Sequence, residues 1–355
     1  MDLEKLEEIL ATEPKFRIKQ AKEAVFKKFI SNWNEATFFP LKLREKLNKE
    51  CPLDIKADVL ISRPKGARLA SLESEAAKSY NAVKARITLK DGLIIETVLM
   101  RHVDNRNTVC VSSQVGCPLG CLFCATGKMG FKRNLTVNEI LEQVIFFNRR
   151  LKKITLSEQG ESKSFRVTNV TFMGIGEPFL NYDNVLESIK ILNDKDYFNI
   201  GARSISVSTA GIVEGIKKFS KEGLQLNLAI SLHAPNNKLR AELMPISKKY
   251  SLEKVLEAVD EYIKTTKRKV MFEYVLIKNV NDSDECAREL AKLMAQKLYF
   301  VNLILYNATG AFKPSTTERV DSFKKILKKA GINFVQRYRF GDDIKAACGQ
   351  FATSK

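Results

Sequence analysis

The stretch TVCVSSQVGCPLGCLFC, residues 108–124, joins an alternating apolar run to three closely spaced cysteines, Cys117, Cys121 and Cys124. The run reads as a strand, and from it toward the C-terminus the pattern repeats as strand then helix. Strand candidates follow at VTNVTFMG, SISVST, LNLAISLH, KVMFEYVLI and FVNLILYN, with a shorter NFVQRYR last. Amphipathic segments such as VNEILEQVIFFNRRL and LEKVLEAVDEYI lie between them. Parallel strands need crossover helices, so the alternation predicts an α/β unit over 106–338. Six or so units closing partly on themselves give a partial (β/α)6 barrel, with an open doubly wound sheet as the alternative that periodicity leaves standing. The polar insertion SEQGESKS, residues 157–164, reads as a surface loop, and residues 339–355 form a tail beyond the last strand.

Upstream, residues 1–60 read as a small helical domain. Leu3, Leu6, Ile9 and Leu10 follow helical spacing, as do Ile18, Ala21, Val25 and Phe29. The second helix carries Arg17, Lys19, Lys22, Lys27 and Lys28, a set that could face phosphate or simply form its wet face. A polar stretch at 62–80 leads into NAVKARITLKDGLIIETVLM, where two alternating runs around Asp91 and Gly92 predict a β-hairpin. Residues 61–105 thus form a linker and hairpin extension.

The totals exclude several classes. With 45% hydrophobic residues the 355-residue chain is no disordered polymer, and seven cysteines are too few for a disulfide scaffold. The N-terminus lacks a signal-peptide pattern and no run reaches the ~18 to 20 apolar residues of a membrane span, so a cytoplasmic protein without a membrane partner is expected. In that compartment clustered cysteines point to metal or redox chemistry. The surplus of 59 Lys and Arg over 41 Asp and Glu, a net charge of +18, suits a polyanionic partner.

At about 2% cysteine, a run spaced as Cys117, Cys121 and Cys124 arises by chance on the order of 0.003 times in such a chain. Accident is a poor explanation. A structural zinc site would need a fourth ligand, from Cys110, His102 or His233, whereas a three-cysteine iron-sulfur cluster leaves one iron open for another molecule. A barrel places ligand-binding residues at the C-terminal ends of its strands. There lie Gly176 and Glu177, then Ser208, then Ser231, Leu232 and His233, then Asn307. Glu177 offers an acceptor for a cationic amine, and the glycines allow close backbone approach.

The cysteine spacing, with an aromatic before the last cysteine, resembles the signature of radical S-adenosylmethionine (radical-SAM) enzymes. Together, CVSSQVGCPLGCLFCATGKMGF, VTFMGIGEPFLN, ISVSTAGIV, ISLHAP and DIKAACGQ resemble the dual-specificity radical-SAM adenine-C2 methyltransferases of 23S ribosomal RNA and transfer RNA. The likeness runs in order over nearly the whole chain. DIKAACGQ is its most specific part, since an ordinary radical-SAM enzyme has no use for a cysteine on a terminal tail.

The resemblance implies a radical-SAM barrel holding a [4Fe-4S] cluster on Cys117, Cys121 and Cys124, with S-adenosylmethionine bound by Gly176, Glu177, Ser208, Ser231, Leu232, His233 and Asn307. It implies two S-adenosylmethionine molecules per turnover. The first methylates Cys348, and the second yields a 5′-deoxyadenosyl radical that takes a hydrogen from the S-methyl group. The carbon radical then adds to adenine C2, joining protein and RNA. Glu96 matches the base that removes the C2 proton, and Cys110 the thiol that releases the product by forming a disulfide with Cys348. Read without the resemblance, Cys110 is a buried strand residue and Glu96 a polar-face residue; Cys51 and Cys286 match no motif and read as buried or half-buried helical thiols. The implied substrates are adenosine 2503 of 23S ribosomal RNA, in the usual bacterial numbering, and adenosine 37 of transfer RNA. A flavodoxin or ferredoxin would serve as electron donor, and a monomer is expected. Two rivals stand beside this reading: the sister family that methylates C8 of the same ribosomal adenine, against which Pro178 leans, and a non-catalytic zinc-containing RNA-binding protein.

Overall fold

A computed structural model describes residues 2–62, 82–157, 166–338 and 340–351. Most of the predicted polar linker, and the predicted loop apart from Ser157, lie outside these residues. Three helices open the chain: α1 (Leu3–Leu10), α2 (Phe16–Phe26) and α3 (Leu41–Glu50). Asp2 caps α1 through the Lys5 amide, which ends a donor the helix itself cannot satisfy. Their apolar stripes meet around Trp33, fully buried, whose indole donates to the Cys51 carbonyl at 2.8 Å. The helices end earlier than the expected residue 60. Residues 56–61 instead form strand β1 (Lys56–Ile61), because their alternating burial matches a sheet edge.

Strands β2 (Ala82–Thr88) and β3 (Ile94–Arg101) form the predicted hairpin, and Gly92 adopts φ +82° at its turn. The extension therefore has three antiparallel strands, β1-β2-β3, and β3 continues into β4 (Asn107–Cys110). From β4 onward the sheet is parallel: β7 (Asn169–Phe172), β8 (Ile205–Thr209), β9 (Asn227–Ser231), β10 (Val270–Leu276), β11 (Tyr299–Leu305) and β12 (Phe334–Gln336) follow in sequence order. Each strand joins the edge left by its predecessor, and the order never reverses. A doubly wound sheet needs a reversal point, so the partial barrel is the architecture. Strands β4 and β12 do not pair, which leaves it open.

The crossovers are made by α4 (Val137–Ser157), α5 (Tyr182–Asn193), α6 (Val213–Phe219), α7 (Asn237–Leu243), α8 (Leu252–Thr266), α9 (Asp284–Leu293) and α10 (Thr317–Lys329). Strand alternation decides what faces them. In β10, Phe272 and Tyr274 enter the main hydrophobic core, where Tyr274 meets Phe323 of α10, while Glu273 and Val275 point to the opposite side and line a cavity. The N-terminal helices share this core, since Phe26 packs edge-on against Tyr197 and Phe198. Cys51 is buried at the end of α3 and Cys286 is half-buried on α9, as read from sequence.

Candidate active site

A short ribbon of β5 (Gln114–Gly116) and β6 (Phe131–Asn134) brackets the cysteine loop, which closes through the Cys117 amide and the Gly130 carbonyl at 3.0 Å. Cys117, Cys121 and Cys124 emerge into one cavity of about 160 Å³ at the C-terminal ends of the parallel strands. Its walls carry Gly176, Glu177, Ser208, Ser231, His233 and Asn307, as expected from sequence. Leu232 differs: its side chain is fully buried in the main core, and its amide donates to the Glu273 carbonyl at 3.0 Å.

Several features make this wall rigid. Gly176 sits at φ +106°, and a Cβ there would lie 2.6 Å from that of Gln114. Glu177 is buried, with one carboxylate oxygen accepting from the Phe179 amide (3.0 Å) and the other from the Ala210 amide (2.7 Å). Burial pushes its carboxyl up to about 7, against the pull of those two amides. His233, at φ +57°, is buried, and its Nδ1 accepts the Val275 amide at 3.1 Å. Burial, with Arg240 adding to it, depresses the imidazole to about 3. The ring is thus neutral, with its proton on Nε2, and the Phe123 ring meets it edge-on at 4.7 Å.

Sequence reading passed over three polar residues here. Glu273 lines the cavity, accepts from the Ser208 hydroxyl at 2.7 Å and pairs with Arg337 at 3.2 Å. Arg240 is fully buried and donates to the carbonyls of Ala210 (2.7 Å), Ser231, Leu232 and Tyr250. It fixes the ends of two strands. A polar residue inside an otherwise apolar parallel strand, as Glu273 is within VMFEYVL, was the available signal.

The donor set fits a cluster. Burial pushes the Cys117 thiol up to about 12 and raises Cys121 as well, so a bare thiolate is disfavoured there unless a metal cation compensates it. Among the described residues no three such donors converge as they would on a single ion, and a cluster asks for no such convergence, since its cysteines bind different irons. Of the fourth ligands a zinc site could use, only His233 shares the cavity. His102 hydrogen-bonds Thr108 at 3.0 Å, and Cys110 lines a different space.

That second space is a cleft of about 30 Å³ beside the first, lined by Val98, Met100, Cys110, Arg337, Tyr338, Phe340 and Cys348 among others. Cys348 and Asn307 line both. The tail carrying Cys348 folds back against the barrel: Asn307 Nδ2 donates to the Cys348 carbonyl (3.0 Å), Ala125 to that of Gly349 (2.8 Å) and Thr126 to that of Phe351 (2.8 Å). Both thiols are free, and burial raises each above its ordinary value while Arg337 draws them down.

Glu96 departs from the polar-face reading. It is 2% exposed and pairs with Lys84 at 2.8 Å, and Lys84 also donates to the tail carbonyl of Lys345 at 3.1 Å. It lines neither cavity, but it lies on the same face of β3 as Val98 and Met100, which line the two-cysteine cleft. On α2, Arg17 donates to the Phe38 carbonyl (2.8 Å), Lys22 pairs with Glu7 (3.3 Å) and Lys19 is exposed; just beyond it Lys28 pairs with Glu23 (3.3 Å) and Lys27 is exposed.

The radical SAM superfamily matches residues 111–291, half of the chain, and the chain belongs to it. Within that superfamily it belongs to the dual-specificity RNA methyltransferases of the RlmN family. It is 44% identical over 353 residues to the "Probable dual-specificity RNA methyltransferase RlmN" of Dictyoglomus thermophilum, covering 98% of this chain and 94% of that protein. The protein of the same name from Carboxydothermus hydrogenoformans is 42% identical over 97% of this chain and 95% of its own length. A solved radical SAM methyltransferase from Sphaerobacter thermophilus superposes with a TM-score of 0.87 at 38% identity, over 99% of this chain and 97% of that one. The protein is a radical-SAM, S-adenosylmethionine-dependent RNA methyltransferase. A radical SAM domain implies a [4Fe-4S] cluster and S-adenosylmethionine. Among the described residues no helix is long and apolar enough to cross a membrane.

Proposed function

We propose that this chain makes 2-methyladenosine in 23S ribosomal RNA, at the peptidyl transferase centre, and in transfer RNA, with Cys348 as methyl carrier, Cys110 as resolving thiol and Glu96 as base. The observation that carries this reading is the position of Cys348, which lines both the three-cysteine cavity and the cleft it shares with Cys110. Cys117, Cys121 and Cys124 would hold the cluster, and the strand-end wall of Gly176, Glu177, Ser208, Ser231, His233 and Asn307 would hold S-adenosylmethionine. When bound, the pair supplies an electrophilic methyl group and a one-electron route to hydrogen abstraction.

The chain's own groups do the rest. Arg337 stands beside both thiols and favours the thiolate that must attack in each displacement. Glu273 holds Arg337 on one side and Ser208 on the other, so the cofactor wall and the thiol cleft share one polar link. Cys348, once carrying carbon, joins the purine. Glu96, one pleat along from Val98, accepts the ring proton, and Lys84 stabilises its carboxylate. With the ring proton the adduct gives up one electron, matching the one used in hydrogen abstraction; attack by Cys110 on the Cys348 sulfur then breaks its S–C bond, the released carbon takes up a proton to complete the methyl group, and the RNA leaves with a Cys110–Cys348 disulfide on the protein. An electron donor such as flavodoxin or ferredoxin would supply the electron for hydrogen abstraction, and a two-electron thiol reductant would return the disulfide to two thiols.

Nucleoside mass spectrometry of ribosomal and transfer RNA after anaerobic reaction tests this. 2-Methyladenosine is expected, and 8-methyladenosine alone would assign the chain to the C8 chemistry. Colourless zinc protein with no turnover would overturn the enzyme reading.

A further inference from the structure

The mouth of the two-cysteine cleft carries an aromatic cluster that the catalytic reading leaves unused. Tyr338 follows the last strand and is 68% exposed, although it forms part of the cleft wall. Phe340 meets Tyr338 edge-on at 4.9 Å and His102 edge-on at 4.8 Å. His102 is itself anchored to Thr108 of β4, so two segments far apart in sequence present one ledge. Exposing a large aromatic face to water forgoes its burial free energy, which makes such a ledge at a cleft mouth a natural seat for a flat partner.

The partner's chemistry follows from what lies behind and beside the ledge. A cleft of about 30 Å³ holds roughly one water, so a purine enters it only if part of its lining gives way. The target base must leave its stack to do so, which deprives its neighbour of a stacking partner. Arg337 lines the cleft, paired with Glu273, and Arg106 stands in the turn that carries His102, paired with Asp104, so no excess negative charge stands there against a phosphate backbone. Aromatic rings are the general means of holding unstacked bases, because every base has a π-face.

We propose that Tyr338, Phe340 and His102 form a stacking platform for the nucleotide flanking the target adenosine, holding it at the cleft mouth while the target base enters. This deepens the RNA-methylation reading and rests on Cys348 being the methyl carrier. The ledge gives sequence-tolerant affinity, in keeping with an enzyme acting on more than one RNA.

The test uses the cluster-loaded enzyme and a 23S ribosomal RNA hairpin carrying 2-aminopurine next to the target adenosine. Binding to the wild type should quench the 2-aminopurine fluorescence. Tyr338→Ala should relieve the quench and raise Kd and KM about tenfold, the scale of one lost base-aromatic stack. Tyr338→Trp should restore both, and methylation of Cys348, read by intact-protein mass, should be unchanged. Unaltered quench and KM in the Tyr338→Ala/Phe340→Ala double variant, with normal Cys348 methylation, would overturn the platform. Its failure is separable from that of the methylation reading: wild type that quenches the probe but yields no methyladenosine would refute the function and leave the ledge standing.

Discussion

Two neighbouring spaces in this molecule are built by different means. The three-cysteine cavity is assembled by the ends of successive parallel strands, together with a loop that begins one residue beyond a short ribbon. The two-cysteine cleft is assembled at a seam, where the antiparallel extension, the first barrel strand and the C-terminal tail meet. The first uses residues close in sequence to their strands. The second joins Cys110 to Cys348 across most of the chain. The first suits the radical-SAM class, and the proposed function assigns the methyl-carrying chemistry to the second. Cys348 lines both, with Met173, Ile304 and Asn307.

The sharpest way to break the comparison is to remove one cysteine from each space. Cys117→Ala should lose cluster absorbance and all RNA methylation. Cys348→Ala should keep the cluster and S-adenosylmethionine cleavage yet lose methyladenosine by at least about 10³-fold, since a covalent intermediate has no substitute. Retained methylation in Cys348→Ala would dissolve the distinction. Next in size, Cys110→Ala should convert turnover into a trapped protein-RNA adduct, visible as a nuclease-sensitive shift on a denaturing gel. Free product from that variant would remove Cys110 from the reaction.

Glu96→Gln should slow product formation by roughly 10² to 10⁴-fold, the usual range for a general base, with Cys348 still methylated. Its partner Lys84 then stays buried without a carboxylate, and breaking such a pair costs about 3–5 kcal/mol, so thermal melting must accompany the rate measurement. A Glu96→Gln/Lys84→Met variant that recovers stability but not rate would separate the two effects.

The smallest effect probes the three-cysteine side alone. His233 is held neutral, with its pKa lowered to about 3 from an ordinary value near 6.5. Between those values the unfolded chain takes up a proton and the folded chain does not, so His233 costs the metal-free protein stability as pH falls from 6.5 toward 3. His233→Gln should flatten that part of the pH-stability curve without changing the oxidation rate of the Cys110 and Cys348 pair. An unchanged curve would mean that the imidazole is not held neutral.

Much of this was legible in the residues, for local reasons. The strand-helix alternation predicted every parallel strand in order, because a buried parallel strand must be apolar and its crossover amphipathic. The cysteine spacing marked the candidate cluster loop because its three thiols sit within eight residues. The resemblance carried by DIKAACGQ pointed to Cys348. Other side-chain environments were decided at a distance. Glu96 looks like an outward polar residue on a hairpin, yet Lys84 on the paired strand and the docked tail enclose it. Leu232 sits beside two lining residues, but alternation sends its side chain to the other side of the sheet. Arg17 and Lys22 look free to meet phosphate on a helical wheel, whereas the folded N-terminal domain engages them with the Phe38 carbonyl and Glu7.

The sequence by itself determined the succession of strands and crossover helices, the clustering of three cysteines and the presence of a further thiol on the tail, since each is written in spacing of a few residues. Only the tertiary structure decided that the tail docks, that Cys348 lines two spaces at once, that Glu273 and Arg337 link them, and that Tyr338, Phe340 and His102 form one ledge. Those juxtapositions come from sheet topology and from where the chain's last segment packs, which no local pattern encodes.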